Sequence, residues 1–252
     1  MVVWLNWAFV VLTCSPNVSL EEQEGVIAKA EVSAKAQIAK GWEIKRSSFK
    51  KDDATRVKRL KEAIQCFSVV AERWPNDGAA CCEASFRIGE IHRSMGALQE
   101  AEAAFTKCLE HKEGGRFRAR GLLELGHARR RVEDVDGALT FYNQVVSEHP
   151  DENKTCSQAL TWNGTVQLDM GDAEKGIQVL LGFEERFPEF PEAAIRNIDK
   201  VALWYIKQEK VDDARALVIE ASKRFRAKAP DDEKKRAKIE RALSKMKSPS
   251  KL

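Results

Sequence analysis

A small residue followed four positions later by a large one recurs along this chain at a nearly fixed interval. The pairs are Ala63–Phe67, Ala101–Phe105, Ala138–Tyr142, Gly176–Leu180 and Ala214–Val218, and their small members stand 38, 37, 38 and 38 residues apart. Twelve residues before three of them lies a glycine (Gly89, Gly126, Gly164), with Ala202 in the matching place of the last unit. Twelve residues after three of them lies a proline (Pro75, Pro150, Pro188). Self-similarity at a period between about 20 and 50 residues marks an array of one supersecondary unit, each copy unable to bury its apolar face alone. The chain is rich in Ala, Glu, Lys, Arg and Leu stretches, which favour helix. Seven prolines and two tyrosines fit an all-β sandwich poorly.

The pattern has a mechanical explanation. A small residue on the first helix of each unit lets a second helix cross closely. The small residue and the large one four later lie one turn apart on the same face of that second helix. The proline lacks an amide donor and ends the helix. Gly96 and Gly171 fall between the paired helices, where a positive φ is expected. The fold predicted is all-α: stacked antiparallel helix pairs, four to five units, closed by a carboxy-terminal capping helix. The first unit keeps its second helix, "LKEAIQCFSVVAERWP". Its first helix is displaced to "AKAQIAKGW", with a basic insertion at about Ser47–Arg59.

"SFRIGEIHRSMGALQEAEAAFTKCL" and "GLLELGHARRRVEDVDGALTFYNQVVSEHP" carry the pattern across both helices of a unit. On these segments the chain resembles the tetratricopeptide repeat (TPR) proteins, over roughly residues 30–226. The resemblance implies a TPR-like α-solenoid that acts as a protein–protein interaction scaffold. There are departures. Gly176 replaces the usual alanine, Ala202 replaces the glycine, and the period exceeds the family's 34 residues. The additional residues follow the proline, as in "PNDGAACCEASF" and "FPEFPEAAI". This extended entry is similar in style to bacterial envelope TPR proteins, such as the outer-membrane-assembly lipoproteins and the Tol-Pal-associated cell-division coordinator.

Residues 1–18 fit that comparison. Val2–Leu12 is an apolar run of 11 residues, too short to span a membrane and of the length of a signal-peptide core. No Lys or Arg precedes it, and Asn6 interrupts it. The expectation is export to the periplasm or cell envelope, with membrane association only through this segment. Lipidation at Cys14, a cap helix, a start codon placed too far upstream and a cytoplasmic location are the alternatives. Residues 19–226 would form the repeat domain, opened by a capping box at Ser19–Glu22. Residues 227–252 would form a basic cap, with Ile239, Ala242, Leu243 and Met246 at helical spacing and a frayed "SPSKL" end. The cysteines follow no regular framework, and Cys66 and Cys108 read as small core residues.

No catalytic constellation is present. His92, His111, His127 and His149 offer no metal-pair spacing, and Cys-x-x-Cys, phosphate-loop and nucleophile-elbow motifs are absent from the sequence. Asp212 and Asp213 suit a helix dipole. No catalytic residue, metal or cofactor is expected. In TPR proteins the first helix of each pair lines a concave groove, and the repeat glycine fixes which positions face it. The resemblance therefore implies a groove formed by Phe86, Arg93, Arg120, His127, Arg130, Arg131, Trp162, Arg196, Lys200 and Lys207. Glu83, Arg87, Glu90, Leu123, Glu124, Thr161, Thr165 and Leu168 stand at other inward positions. Arginines would bind carboxylates bidentately and Phe86 and Trp162 would serve as apolar anchors. The expected partner is a protein or peptide of acidic character. Nucleic acid is not expected, because residues 62–222 carry 28 Asp/Glu against 19 Lys/Arg. The basic ends, residues 40–61 and 223–252, leave a nucleic-acid-associated adaptor as the alternative, beside an accessory subunit of an enzyme complex.

Overall fold

The computed structural model describes residues 31–49, 52–229 and 231–246. The amino-terminal apolar run, Cys14, the Ser19–Glu22 capping box and the "SPSKL" end lie outside these residues. The described chain is built of helices and their connections, and no helix in it is long and apolar enough to cross a membrane. Its contacts divide it into two compact units at Pro75 and Asn76.

The amino-terminal unit holds one antiparallel pair, α1 (Ala34–Ser47) and α2 (Asp53–Arg73). Ser33 and Asp52 cap these helices by accepting from the amides of Ala36 and Thr55. Much of the expected basic insertion is helical: only residues 48–52 separate α1 from α2, and Arg56, Lys58 and Arg59 lie in the first turns of α2. Gly41 takes the part of the repeat glycine. A Cβ there would lie 2.7 Å from the Phe67 ring. Gln37, fully buried, donates to the carbonyl of Cys66 and ties the two helices together (2.8 Å).

The carboxy-terminal unit stacks four pairs: α3 (Gly78–Ser94) with α4 (Leu98–Leu109), α5 (Gly115–Arg131) with α6 (Val135–Glu148), α7 (Asn153–Met170) with α8 (Ala173–Leu181), and α10 (Pro191–Lys207) with α11 (Val211–Ala227). The second helix of the third of these pairs is broken at Gly182, and its last turn is the short α9 (Phe183–Arg186). The cap, α12 (Glu233–Lys245), packs on α10 and α11 through Ile239, Leu243 and Met246. Asp77, Asp134, Asp172 and Asp232 cap α3, α6, α8 and α12.

The close crossing holds in the three pairs whose first helix carries the repeat glycine. A Cβ on Gly89 would lie 2.5 Å from the Phe105 ring, one on Gly126 2.5 Å from Tyr142, and one on Gly164 2.7 Å from Leu180. The rings of Phe67, Phe105 and Tyr142 are buried as the spacing requires. The turns are less uniform. Gly96 has φ 79°, as expected, but Gly171 ends α7 with φ −125° and ψ −125°, not in the left-handed region. The matching left-handed positions of the neighbouring units are occupied by Glu133 and Glu209, at φ 60° and 62°.

Cys108 is buried, as expected of a core residue, but it is not a lone thiol: it forms a disulfide with Cys82. The Gly89–Phe105 crossing brings α3 and α4 together along this seam, and the two Cα atoms are 4.2 Å apart. Cys66, Cys81 and Cys156 are buried outside any disulfide.

Gly176 shows why the fourth repeat of the sequence departs from alanine. A Cβ there would lie 2.4 Å from the Leu168 backbone nitrogen and 2.9 Å from the Gly164 carbonyl oxygen, and no rotamer change can relieve a backbone clash. Overpacking costs about 1–3 kcal/mol and exceeds the roughly 1 kcal/mol that alanine gains in helix propensity. Gly176→Ala is therefore expected to lower the thermal midpoint by several degrees, at about 2–4 °C per kcal/mol. Circular dichroism during heating checks this, and an unchanged or raised midpoint would show that α7 and α8 separate without cost.

Candidate functional site

The first helices α3, α5, α7 and α10 pack side by side, each on the next, and form one wall of the carboxy-terminal unit. The repeat glycines of α3, α5 and α7 point at their own second helices, and Ala202 stands in that place on α10. Positions on the opposite side therefore reach the wall or the seams between first helices.

At the α3–α5 end the wall neutralises itself. Arg87 is buried and bonds both Glu83 (3.2 Å) and Glu90 (2.8 Å) on its own helix. Arg120 reaches across from α5 to Glu90 (3.0 Å), and Arg93 reaches from α3 to Glu124 (2.7 Å). Burial raises the Glu124 carboxyl above the usual carboxylate range, and Arg93 pulls against that shift. Phe86 does not belong to the groove surface. It is fully buried between Phe105 and Phe117, with ring centroids 5.6 and 5.7 Å away, and the Arg120 guanidinium covers it at 4.4 Å. Leu123 and Leu168 are buried in the same way. A large apolar side chain at this position turns into the seam between neighbouring first helices, where it loses more water contact than it would on the wall.

At the α5–α7–α10 end the wall is different. Trp162 of α7 is half-buried and meets His127 of α5 edge-on, with ring centroids 5.2 Å apart. The Arg130 guanidinium lies 4.4 Å from the Trp162 ring centre and the Lys200 ammonium 5.1 Å from it. Two cations on one indole form a cation–π cluster. Lys200 Nζ donates to Thr165 Oγ1 (2.7 Å), and Thr165 Oγ1 donates to the Thr161 carbonyl (2.6 Å). Asn197, buried beside them, donates to Thr161 Oγ1 (3.1 Å). Arg131, Arg196 and Lys207 are exposed. Among the described residues, Arg130, Arg131, Arg196, Lys200 and Lys207 form no ion pair, in contrast to Arg87, Arg93 and Arg120.

The structure thus brings His127, Arg130, Trp162 and Lys200 into contact, and separates from them Arg93 and Arg120, which are held by glutamates. Sequence reasoning placed Glu83, Glu90 and Glu124 at inward positions without recognising that they occupy the arginines. The signal was available: Glu90 and Arg120 are 30 residues apart and Arg93 and Glu124 are 31 apart, offsets that align neighbouring first helices. Tyr142 was placed in the core, yet its hydroxyl shares a hydrogen bond with His127 Nδ1 (2.9 Å). Among the described residues no group of three or more His, Cys, Asp and Glu side chains is placed to hold a metal ion.

Residues 83–113 match the family model of the tetratricopeptide repeat. That stretch, most of α3 with α4, is similar to one tetratricopeptide repeat. Solved structures with the same architecture include MamA, 21% identical over 70% of this chain and 95% of MamA, with a TM-score of 0.51. MamA from Desulfovibrio magneticus RS-1 is 16% identical over 77% of this chain and 98% of that one, at 0.53. YrrB, a TPR protein, is 16% identical over 87% of this chain and 97% of that one, at 0.52. At these identities the likeness is one of fold. No curated protein matches the chain in sequence.

His127 is a reporter of this wall. Burial lowers its pKa to about 4, and Arg130, Arg131 and Arg93 add to the shift. An unfolded histidine titrates near 6.5. Between those values the unfolded chain takes up a proton that folded His127 refuses. Its contribution to stability is therefore complete above about pH 6.5 and is lost as the pH falls toward 4. The imidazole resonance of His127 is expected to titrate near pH 4 by NMR. A midpoint above 6 would contradict the burial and cationic surroundings described here.

Proposed function

We propose that this TPR chain is a non-enzymatic scaffold whose first-helix wall receives an acidic segment, an extended peptide or a helix, of a partner protein. One observation carries the reading: Arg130 and Arg131 on α5 and Arg196, Lys200 and Lys207 on α10 flank α7 without ion-pair partners among the described residues, with Arg130 and Lys200 against its half-buried Trp162. Guanidinium groups bind carboxylates in a bidentate fork, and an indole edge adds apolar contact. The α3–α5 end, with its arginines held by Glu83, Glu90 and Glu124, contributes shape and stiffness more than charge. YrrB is described as having an unusual peptide-binding site, which accords with peptide capture by this architecture.

The test uses a fluorescein-labelled twelve-residue peptide rich in Asp and Glu, followed by anisotropy. Binding should weaken as salt rises. The double variant Arg196→Glu/Lys207→Glu, at two exposed positions, should bind about tenfold more weakly or worse, since each charge-assisted contact contributes roughly 1.5–3 kcal/mol. Arg215→Glu, on α11 and away from the wall, should bind as the parent does. Equal binding by all three proteins would overturn the assignment of the wall.

The proposal extends to location. Residues 1–18 serve as an export signal and the scaffold works in the bacterial cell envelope, supported by the length of the Val2–Leu12 run and by the extended entries after Pro75 and Pro188. Sequencing the amino terminus of the protein isolated from its own cells should find residues 1–14 or so removed. Retention of Met1 would contradict export.

A further inference from the structure

The cations around Trp162 are more numerous than a single carboxylate needs. Arg130 lies against the ring, and its Nε is buried without a hydrogen-bond partner. Lys200 lies against the same ring and uses one of its three donors on Thr165, leaving two. Arg196 is one turn before Lys200 on α10 and exposed. Burial lowers the Lys200 ammonium, and the fields of Arg130 and Arg196 push it the same way, while Asp169 opposes them. Three cations thus act on one locus against the one carboxylate whose field reaches Lys200. Charges of one sign held together in a partly desolvated site repel one another, and a ligand that neutralises them is favoured in proportion to its own charge.

We infer that Arg130 and Lys200, both against Trp162, together with Arg196 one turn before Lys200 on α10, seat a phosphate monoester carried by the partner's acidic segment. The inference rests on the peptide-binding reading of the wall and names the group that its centre prefers. A carboxylate brings one charge and two acceptor oxygens. A phosphate monoester at neutral pH brings about −1.5 to −2 and three acceptor oxygens, which matches the donors of two guanidinium groups and an ammonium. The neighbouring arginines at the α3–α5 end do not compete for it, because Glu90 and Glu124 hold them.

Two labelled twelve-residue acidic peptides test this, identical except for a central phosphoserine in one and serine in the other. The phosphopeptide should bind about tenfold more tightly. That preference should vanish in Arg196→Gln, an exposed position whose replacement leaves the core intact, and in Lys200→Gln, with circular dichroism confirming the fold of each. Inorganic phosphate should displace the phosphopeptide only at concentrations well above the peptide's own dissociation constant. Equal affinity for the two peptides would overturn the phosphate seat and leave the acidic-segment reading standing. If neither peptide binds, both readings are overturned. Inorganic phosphate binding as tightly as the phosphopeptide would assign the site to a free small anion and overturn the partner-borne ligand. A phosphoserine preference that survives both variants would place the seat elsewhere.

Discussion

The contact between a repeat glycine and a large side chain sixteen residues later governs the rest of the structure. Gly89 against Phe105, Gly126 against Tyr142 and Gly164 against Leu180 leave no room for a methyl group. Helices that meet this closely bury the ring completely and lock the rotation of the first helix about its own axis. That rotation has consequences beyond the core. With the glycine turned toward its partner helix, the residues on the opposite face of α3, α5 and α7 are turned toward the wall. The crossing that buries Tyr142 also aims its hydroxyl at His127, and the crossing that buries Phe105 also brings Cys82 to Cys108.

How much of this the sequence disclosed depends on how local each cause is. The period, the paired helices and the carboxy-terminal cap were legible because they rest on spacing within one unit. Gly41 was not, because the chain between it and Ala63 is ten residues longer than in later units, so its contact with Phe67 breaks the twelve-residue offset. Gly171 was read as a left-handed turn from its residue type, yet the turn after α7 takes another route, while Glu133 and Glu209 accept the positive φ that glycine would hold more cheaply. Here the tertiary crossing sets the turn and the residue tolerates it.

The wall was legible in position and less so in state. Phe86, Arg93, Arg120 and Trp162 stand at inward positions of the pattern, but a position does not say what a side chain touches. Phe86 is drawn into the seam by the aromatic contacts of Phe105 and Phe117. Arg93 and Arg120 are drawn onto glutamates of the neighbouring first helix. Both outcomes depend on residues about 30 positions away, and a single-unit pattern cannot carry that information.

The two ends of the wall differ in electrostatic character for a reason visible in their composition. Along α3 and α5, acidic and basic residues alternate at matching heights, so that Glu83, Glu90 and Glu124 each meet an arginine. Along α7 the corresponding places hold Gln158, Trp162 and Thr165, which offer an amide, a ring face or a hydroxyl but bring no negative charge. Arg130 and Lys200 therefore settle on the indole, a weaker partner than a carboxylate. A cation resting on an aromatic ring keeps its remaining donors for another acceptor, whereas one locked in a bidentate ion pair does not. The lack of a carboxylate at these places of α7 is thus what makes the neighbouring charges available. Substituting an acidic residue at Thr165 would supply Lys200 with an internal partner and convert this end of the wall into a copy of the other.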